Sequence, residues 1–192
     1  DASGKYQGEL AVGAAVKPGG LVIDPTTRRI FLADVAGHRV LVLSSDGKVI
    51  ATLGSHGTEP GEFNYPTNVA LDSKGYLYVA DSLNFRIQIF NPELKLVRAI
   101  GQPGDRPGYF GRPKGIALDS ENHLYVVDAE QDTVQIFDEE SHLLLYFGRQ
   151  GTGPGQFWLP AGLCSEAHYL SLFADTYNKR IAVFDYLKEK RP

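Results

Sequence analysis

A thirteen-residue frame, G-x-x-G-x-x-P-G-x-F-x-x-P, occurs three times in this sequence, at Gly54 to Pro66, Gly101 to Pro113 and Gly148 to Pro160. Its first glycines are spaced by 47 residues, and so are Phe63, Phe110 and Phe157, without one insertion. A fixed period of about 40–50 residues marks a solenoid, a propeller or an array, in which each unit buries its faces only against its neighbours. The 192 residues are therefore read as one repeat domain and not as two globular ones.

Between the frames, each unit holds short β-rich runs separated by turn residues. The second unit reads Asn68 to Asp72, Tyr76 to Asp81, Arg86 to Phe90 and Leu94 to Ile100. The first, third and fourth units repeat it in register: Gly20 to Asp24, Ile30 to Asp34, Arg39 to Leu43 and Lys48 to Leu53; Gly115 to Asp119, His123 to Asp128, Thr133 to Phe137 and Leu143 to Phe147; Gly162 to Glu166, Tyr169 to Asp175 and Arg180 to Phe184. Polar and apolar residues alternate within runs, as Ile87 and Ile89 do with Arg86 and Gln88, and no helical period is sustained. Asp46-Gly47 and Asn91-Pro92 suit tight reversals. Each unit is thus an antiparallel four-stranded meander, and such sheets repeated about an axis predict an all-β fold, a β-propeller. The expected blades are 18–54, 66–101, 113–148 and 160–187, the last lacking its outer strand, with 1–17 a degenerate linker or partial blade.

Composition narrows the function classes. A net charge of −4 argues against a protein whose main partner is the phosphate backbone, which requires a basic face. Cys164 is the only cysteine, so there is no disulfide framework, no cysteine-based metal cluster and no haem attachment motif. No apolar run approaches the roughly 18 residues of a membrane span. The sequence has no Met, so Asp1 is expected to be a processed or truncated start.

The blocks Tyr78-Val-Ala-Asp81-Ser-Leu-Asn-Phe-Arg86-Ile-Gln-Ile-Phe90 and Ala174-Asp-Thr-Tyr-Asn-Lys-Arg180-Ile-Ala-Val-Phe184 resemble NHL repeats, as does Gly153-Pro-Gly-Gln-Phe157. The resemblance runs from Gly13 to Leu187 and implies a propeller that usually closes with six blades. About four are supplied here, so one or two N-terminal blades are expected to be absent; a four-bladed ring and closure through a partner are the rival explanations. The ending Val183-Phe-Asp-Tyr-Leu187 resembles the last blade of exported bacterial NHL proteins found with multihaem c-type cytochromes. That likeness implies a periplasmic or extracellular protein with such a cytochrome as partner, itself carrying no haem.

Most repeated residues are explained by scaffold. Glycines allow positive φ, prolines fix φ, and each linker phenylalanine places a ring between blades. Asp34, Asp81 and Asp175 end second strands five residues before Arg39, Arg86 and Arg180, so each pair brackets a turn that the carboxylate can cap. In the third unit Thr133 replaces the arginine, which leaves Asp128 as the one carboxylate expected to be free for another task. Asp24, Asp72, Asp119 and Glu166 share a position after the first strand; turn capping is the expected role, with a divalent cation as the minor alternative. Cys164, which stands where Ala70 and Ala117 stand, is expected in the core. Asn68 replaces a glycine at the start of an inner strand and is expected to line the central channel.

Function is sought where the copies differ, on the rim formed by the linkers and by the turns between second and third strands. Tyr65, Phe85, Arg112, Lys114, Trp158 and Tyr177 form the candidate binding surface, with Asp128 added as the unpaired carboxylate. Aromatic residues and arginine are the composition of binding hot spots. The alternative for Trp158 and Phe85 is packing between blades. His38, His56, His123, His142 and His168 occupy different repeat positions and form no ring, although His38 and His56 can approach on one rim. No catalytic residue, metal ligand set or cofactor is assigned. The leading expectation is a non-enzymatic protein-binding scaffold. A metal-dependent lyase or hydrolase, an activity of some NHL propellers, is the alternative, and RNA binding through Arg112, Lys114 and Lys179 comes third.

Overall fold

The computed structural model describes residues 4, 6, 8–13, 16–165 and 170–185. The first blade is β1 (Pro18–Ile23), β2 (Ile30–Asp34), β3 (Arg39–Leu43) and β4 (Val49–Leu53), hydrogen-bonded in that order. The second is β5 (Pro66–Leu71), β6 (Leu77–Asp81), β7 (Arg86–Phe90) and β8 (Leu96–Ile100). The third is β9 (Pro113–Leu118), β10 (Leu124–Asp128), β11 (Thr133–Phe137) and β12 (Leu143–Phe147). The fourth is β13 (Pro160–Ser165), β14 (Leu170–Asp175) and β15 (Arg180–Asp185), a three-stranded sheet among the described residues. The expected outer-strand region, Tyr186 to Pro192, lies outside the described residues, as do Glu166 and His168. The protein is all-β, with antiparallel blades in a propeller arrangement.

Each inner strand begins at the proline that ends a linker, where the missing N–H is no loss to the ladder. The following turns are closed by side chains: Asp72 Oδ1 accepts the N–H groups of Lys74 and Tyr76 at 2.9 and 2.8 Å. Asp24 does the same for Thr26 and Thr27, and Asp119 for Glu121 and His123, so the capping expectation holds at these three positions.

The core lies between blades. Phe31, Ala33, Val40 and Val42 of the first blade meet Phe63, Val69, Leu77, Val79 and Phe90. The second and third blades meet around Phe110, and the third and fourth around Phe157. All three linker phenylalanines are fully buried. The glycine that opens the frame makes room for the ring: a Cβ on Gly101, at φ 92°, would stand 2.2 Å from Phe110 Cδ2. Near the axis the inner strands crowd in the same way, and a Cβ on Gly20 would stand 2.3 Å from Asn68 Oδ1. Asn68 thus fills the space beside Gly20 and turns its Oδ1 to the Val69 N–H at 2.7 Å.

Among the described residues, two faces have no blade packed against them. Val134 and Ile136 of blade three are 0% and 6% exposed under blade four, whereas their counterparts Ile181 and Val183 are 68% and 59% exposed. At the other end Leu21 and Ile23 are exposed, although Val12 and Val16 cover Leu32, Leu41 and Leu43 beside them. Cys164 lies on the open face of blade four and is exposed, which corrects its expected place in the core. The strand position is that of Ala70, but among the described residues no sheet packs on it.

Candidate functional site

The rim is held by aspartates that each join a linker to a turn. In the register Asp81↔Arg86, Asp81 Oδ2 accepts from Arg86 Nε at 2.8 Å while Oδ1 accepts the linker N–H of Asn64 at 2.6 Å. Arg86 Nη2 continues to the carbonyls of Glu59 and Glu62 at 3.0 and 2.9 Å, locking the linker to the blade. Asp34 with Arg39 and Asp175 with Arg180 repeat the pair at 2.9 and 2.8 Å. Burial pushes the Asp175 pKa up, but bonds from Asn178, the Trp158 N–H and Arg180 outweigh it and the net direction is down.

Asp128 is not a free carboxylate, which corrects the sequence expectation. It is fully buried and accepts four backbone N–H groups, from Gly111, Arg112, Glu130 and Gln131 at 2.7, 2.9, 3.0 and 3.1 Å. The loop amides replace the missing guanidinium.

The turn position occupied by His38, Phe85, Asp132 and Lys179 has positive φ in every blade, 52–56°. Two of these side chains reach forward to the next linker. His38 Nδ1 accepts the N–H of Tyr65 at 3.2 Å, and Asp132 Oδ1 accepts that of Leu159 at 2.6 Å. Tyr65 and Leu159 themselves hold φ of 53° and 48°, so the caps secure strained backbone just before an inner strand.

Beside the Asp132 cap opens a groove of about 530 Å³ at the junction of blades three and four. Four candidate residues, Arg112, Lys114, Trp158 and Tyr177, line it together with Glu130 and Asp132. Trp158 and Tyr177 are 41% and 59% exposed, with ring centroids 5.7 Å apart, so neither is consumed by packing between blades. Arg112 and Lys114 form no salt bridge among the described residues. Asp132 is 4% exposed, and its one hydrogen bond among the described residues is to the Leu159 N–H. Burial, with the Asp175 and Asp128 carboxylates nearby, pushes its pKa up.

The remaining candidates lie elsewhere. Tyr65 is exposed at the junction of blades one and two, edge-on to His38 at 4.8 Å. Phe85 caps a short 3-10 turn, Ser82–Asn84, and packs partly against the core while lining a separate groove with Glu130 and Gln131. Asp132 was not selected from sequence; its signal is the shared turn position with His38, read together with the loss of the arginine one residue later.

Metal-ligating groups are sparse. His38 and His56 do approach, with ring centroids 4.1 Å apart, but Nδ1 of His38 accepts a backbone N–H, which places the neutral ring's proton on Nε2. Asp138, Glu140 and His142 bring ligand atoms within 4.8 Å on the outer hairpin of blade three, where Asp138 Oδ2 already bonds His142 Nδ1 at 3.0 Å.

The sequence model of the NHL repeat matches residues 63–90 and 110–137, spans that run from a linker phenylalanine to the end of the third strand. Two of the four blades thus match the NHL repeat. Comparison with curated proteins gave no match. Among solved structures the propeller is similar to a catalytically inactive virginiamycin B lyase from Staphylococcus aureus with quinupristin, at 17% identity and a TM-score of 0.65, over 90% of this chain and 57% of that one. It is also similar to the WD40 repeats of RRP9, at 16% identity and a TM-score of 0.65, over 90% and 52%. Hydrazine synthase from Kuenenia stuttgartiensis aligns at 14% identity and a TM-score of 0.60, over 95% and 53%. The chain spans little more than half the length of these structures, and at such identities the likeness is one of fold alone.

Proposed function

We propose that these NHL blades form a non-enzymatic docking module that binds another protein in the groove between blades three and four. The observation that carries the reading is the meeting of Arg112, Lys114, Trp158 and Tyr177 around one cavity. Half-exposed aromatic rings beside an unpaired arginine are the composition of an interface centre. Arg112 and Lys114, which form no salt bridge among the described residues, also offer an acidic group on a partner a place to attach.

The finer proposal is that the partner is a multihaem c-type cytochrome and that the pair works outside the cytoplasm. It rests on the resemblance of the blade ending at Val183-Phe-Asp-Tyr-Leu187 to exported NHL proteins. The test is affinity capture from the source organism with the unaltered chain, with Trp158→Ala and with the Arg112→Ala, Lys114→Ala double variant, each fraction stained for haem. The expected result is a haem-positive band that both variants lose. Haem-free capture of cytosolic proteins alone overturns the cytochrome assignment, and capture unaffected by either variant overturns the groove.

A further inference from the structure

The groove is not uniformly basic. Arg112 and Lys114 lie on its wall without acidic partners, while the same cavity contains Asp132, a buried carboxylate with no cation partner among the described residues. The other rim carboxylates are satisfied differently: Asp34, Asp81 and Asp175 each hold an arginine, and Asp128 holds four amides. Only Oδ1 of Asp132 is used, for the Leu159 N–H. Among the described residues Oδ2 has no protein partner, and unlike the sealed, unpartnered Gln131 Oε1 and Thr133 Oγ1 it faces the groove. A nearly buried carboxylate with an open, unpaired oxygen is an acceptor awaiting a charged donor.

Its surroundings define that donor. Leu159, whose N–H Asp132 holds, follows Trp158 directly, and the Trp158 and Tyr177 rings lie 5.7 Å apart on the same cavity. Aromatic faces attract cations, and a planar guanidinium both stacks on them and pairs with a carboxylate. Arg112 and Lys114 repel a cation that comes alone, so the ligand must bring a negative charge with it. Glu130 on the rim is exposed and forms no salt bridge with either cation among the described residues.

We infer that the groove recognises a dipolar segment of a partner protein, an arginine side chain seated on Asp132 beside Trp158 and Tyr177, with an adjacent acidic residue meeting Arg112 and Lys114. This inference rests on the docking reading above and adds the chemistry of the docked segment. Two opposite charges at fixed positions make the groove directional, because a segment with the order of its charges reversed places like charge against like.

Trp158 is the only tryptophan in the chain, so its fluorescence reports on this groove alone. The probes are three capped dipeptides, Arg-Glu, Arg-Gln and Gln-Glu, titrated into the folded chain. The expected result is a saturable change in Trp158 emission, with Arg-Glu binding about tenfold tighter than either singly charged probe, a factor equal to roughly 1.4 kcal/mol. Asp132→Asn keeps an oxygen for the Leu159 N–H and removes only the charge, so this variant is expected to fold and to lose that tenfold preference. Equal affinity of Asp132→Asn and the unaltered chain for Arg-Glu, or no saturable response to any probe, overturns the inference. Partner capture that survives Asp132→Asn but fails with Trp158→Ala refutes the arginine seat and leaves the docking reading standing. Capture indifferent to both refutes the docking reading itself.

Discussion

Thr133 stands opposite Asp128 in the strand register that pairs aspartate with arginine in the other three blades, and its buried hydroxyl has no partner among the described residues. Thr133→Arg is expected to restore the fork seen at Arg86, at no cost in lost hydrogen bonds. A charge-assisted bond to a buried carboxylate is worth about 1 kcal/mol after side-chain ordering, which raises Tm by roughly 2–4 °C in a chain of this size. Thermal unfolding of Thr133→Arg beside Thr133→Lys checks it. Lysine, a point charge without the fork, is expected to gain less, and equal gains would show that geometry is irrelevant.

Phe110 carries the interface of blades two and three. Phe110→Ala is expected to cost about 3–5 kcal/mol, because the fixed linker around it cannot collapse into the cavity. Gly101→Ala attacks the same contact from the other side, forcing a Cβ into the ring at a backbone angle that disfavours it. Urea unfolding should place both variants well below the unaltered chain, with Phe110→Leu between them and it.

His38 links stability to pH. Burial, and then the neighbouring His56, hold its pKa below the ordinary 6.5, so the folded state favours the neutral ring that accepts the Tyr65 N–H. The unfolded chain takes up the proton first as pH falls. The His38 contribution is therefore complete above about 6.5 and drains away as pH drops through the lowered folded value. Urea midpoints at pH 8 and pH 5 are expected to fall further apart for the unaltered chain than for His38→Asn, which keeps an acceptor and does not titrate. Identical differences would remove His38 from the account.

Cys164 is expected to react with a thiol reagent in native buffer at a rate close to that of the urea-unfolded chain, giving one modified thiol per molecule. Protection of the thiol in the isolated chain would show that the open face of blade four is covered.

Much of the fold was legible because the repeat states it three times. The period placed the linkers, and residues such as Asp72 and Arg86 announced their turns by type and spacing. What the repeat concealed was the effect of neighbours. Cys164 reads as core from its strand, but burial belongs to the sheet that packs on it. Asp128 reads as unpaired from the missing arginine, yet backbone amides carry no letter in a sequence. The site was legible as a list of variable rim positions and illegible as a set. Arg112, Lys114, Trp158 and Tyr177 come together because they line one cavity at the junction of blades three and four, while Tyr65 and Phe85 belong to other junctions.

The two faces that have no sheet against them among the described residues also decide how the isolated chain comes apart. Three seams join four blades, so the second and third blades are each clamped twice and the first and fourth once. In a nearest-neighbour chain of this kind, opening starts at the outer blades and works inward. The groove straddles the last seam, with Trp158 and Tyr177 on the singly clamped side and Arg112 and Asp132 on the doubly clamped one. Local fraying of blade four would thus separate the aromatic half of the groove from its charged half before the molecule as a whole unfolds.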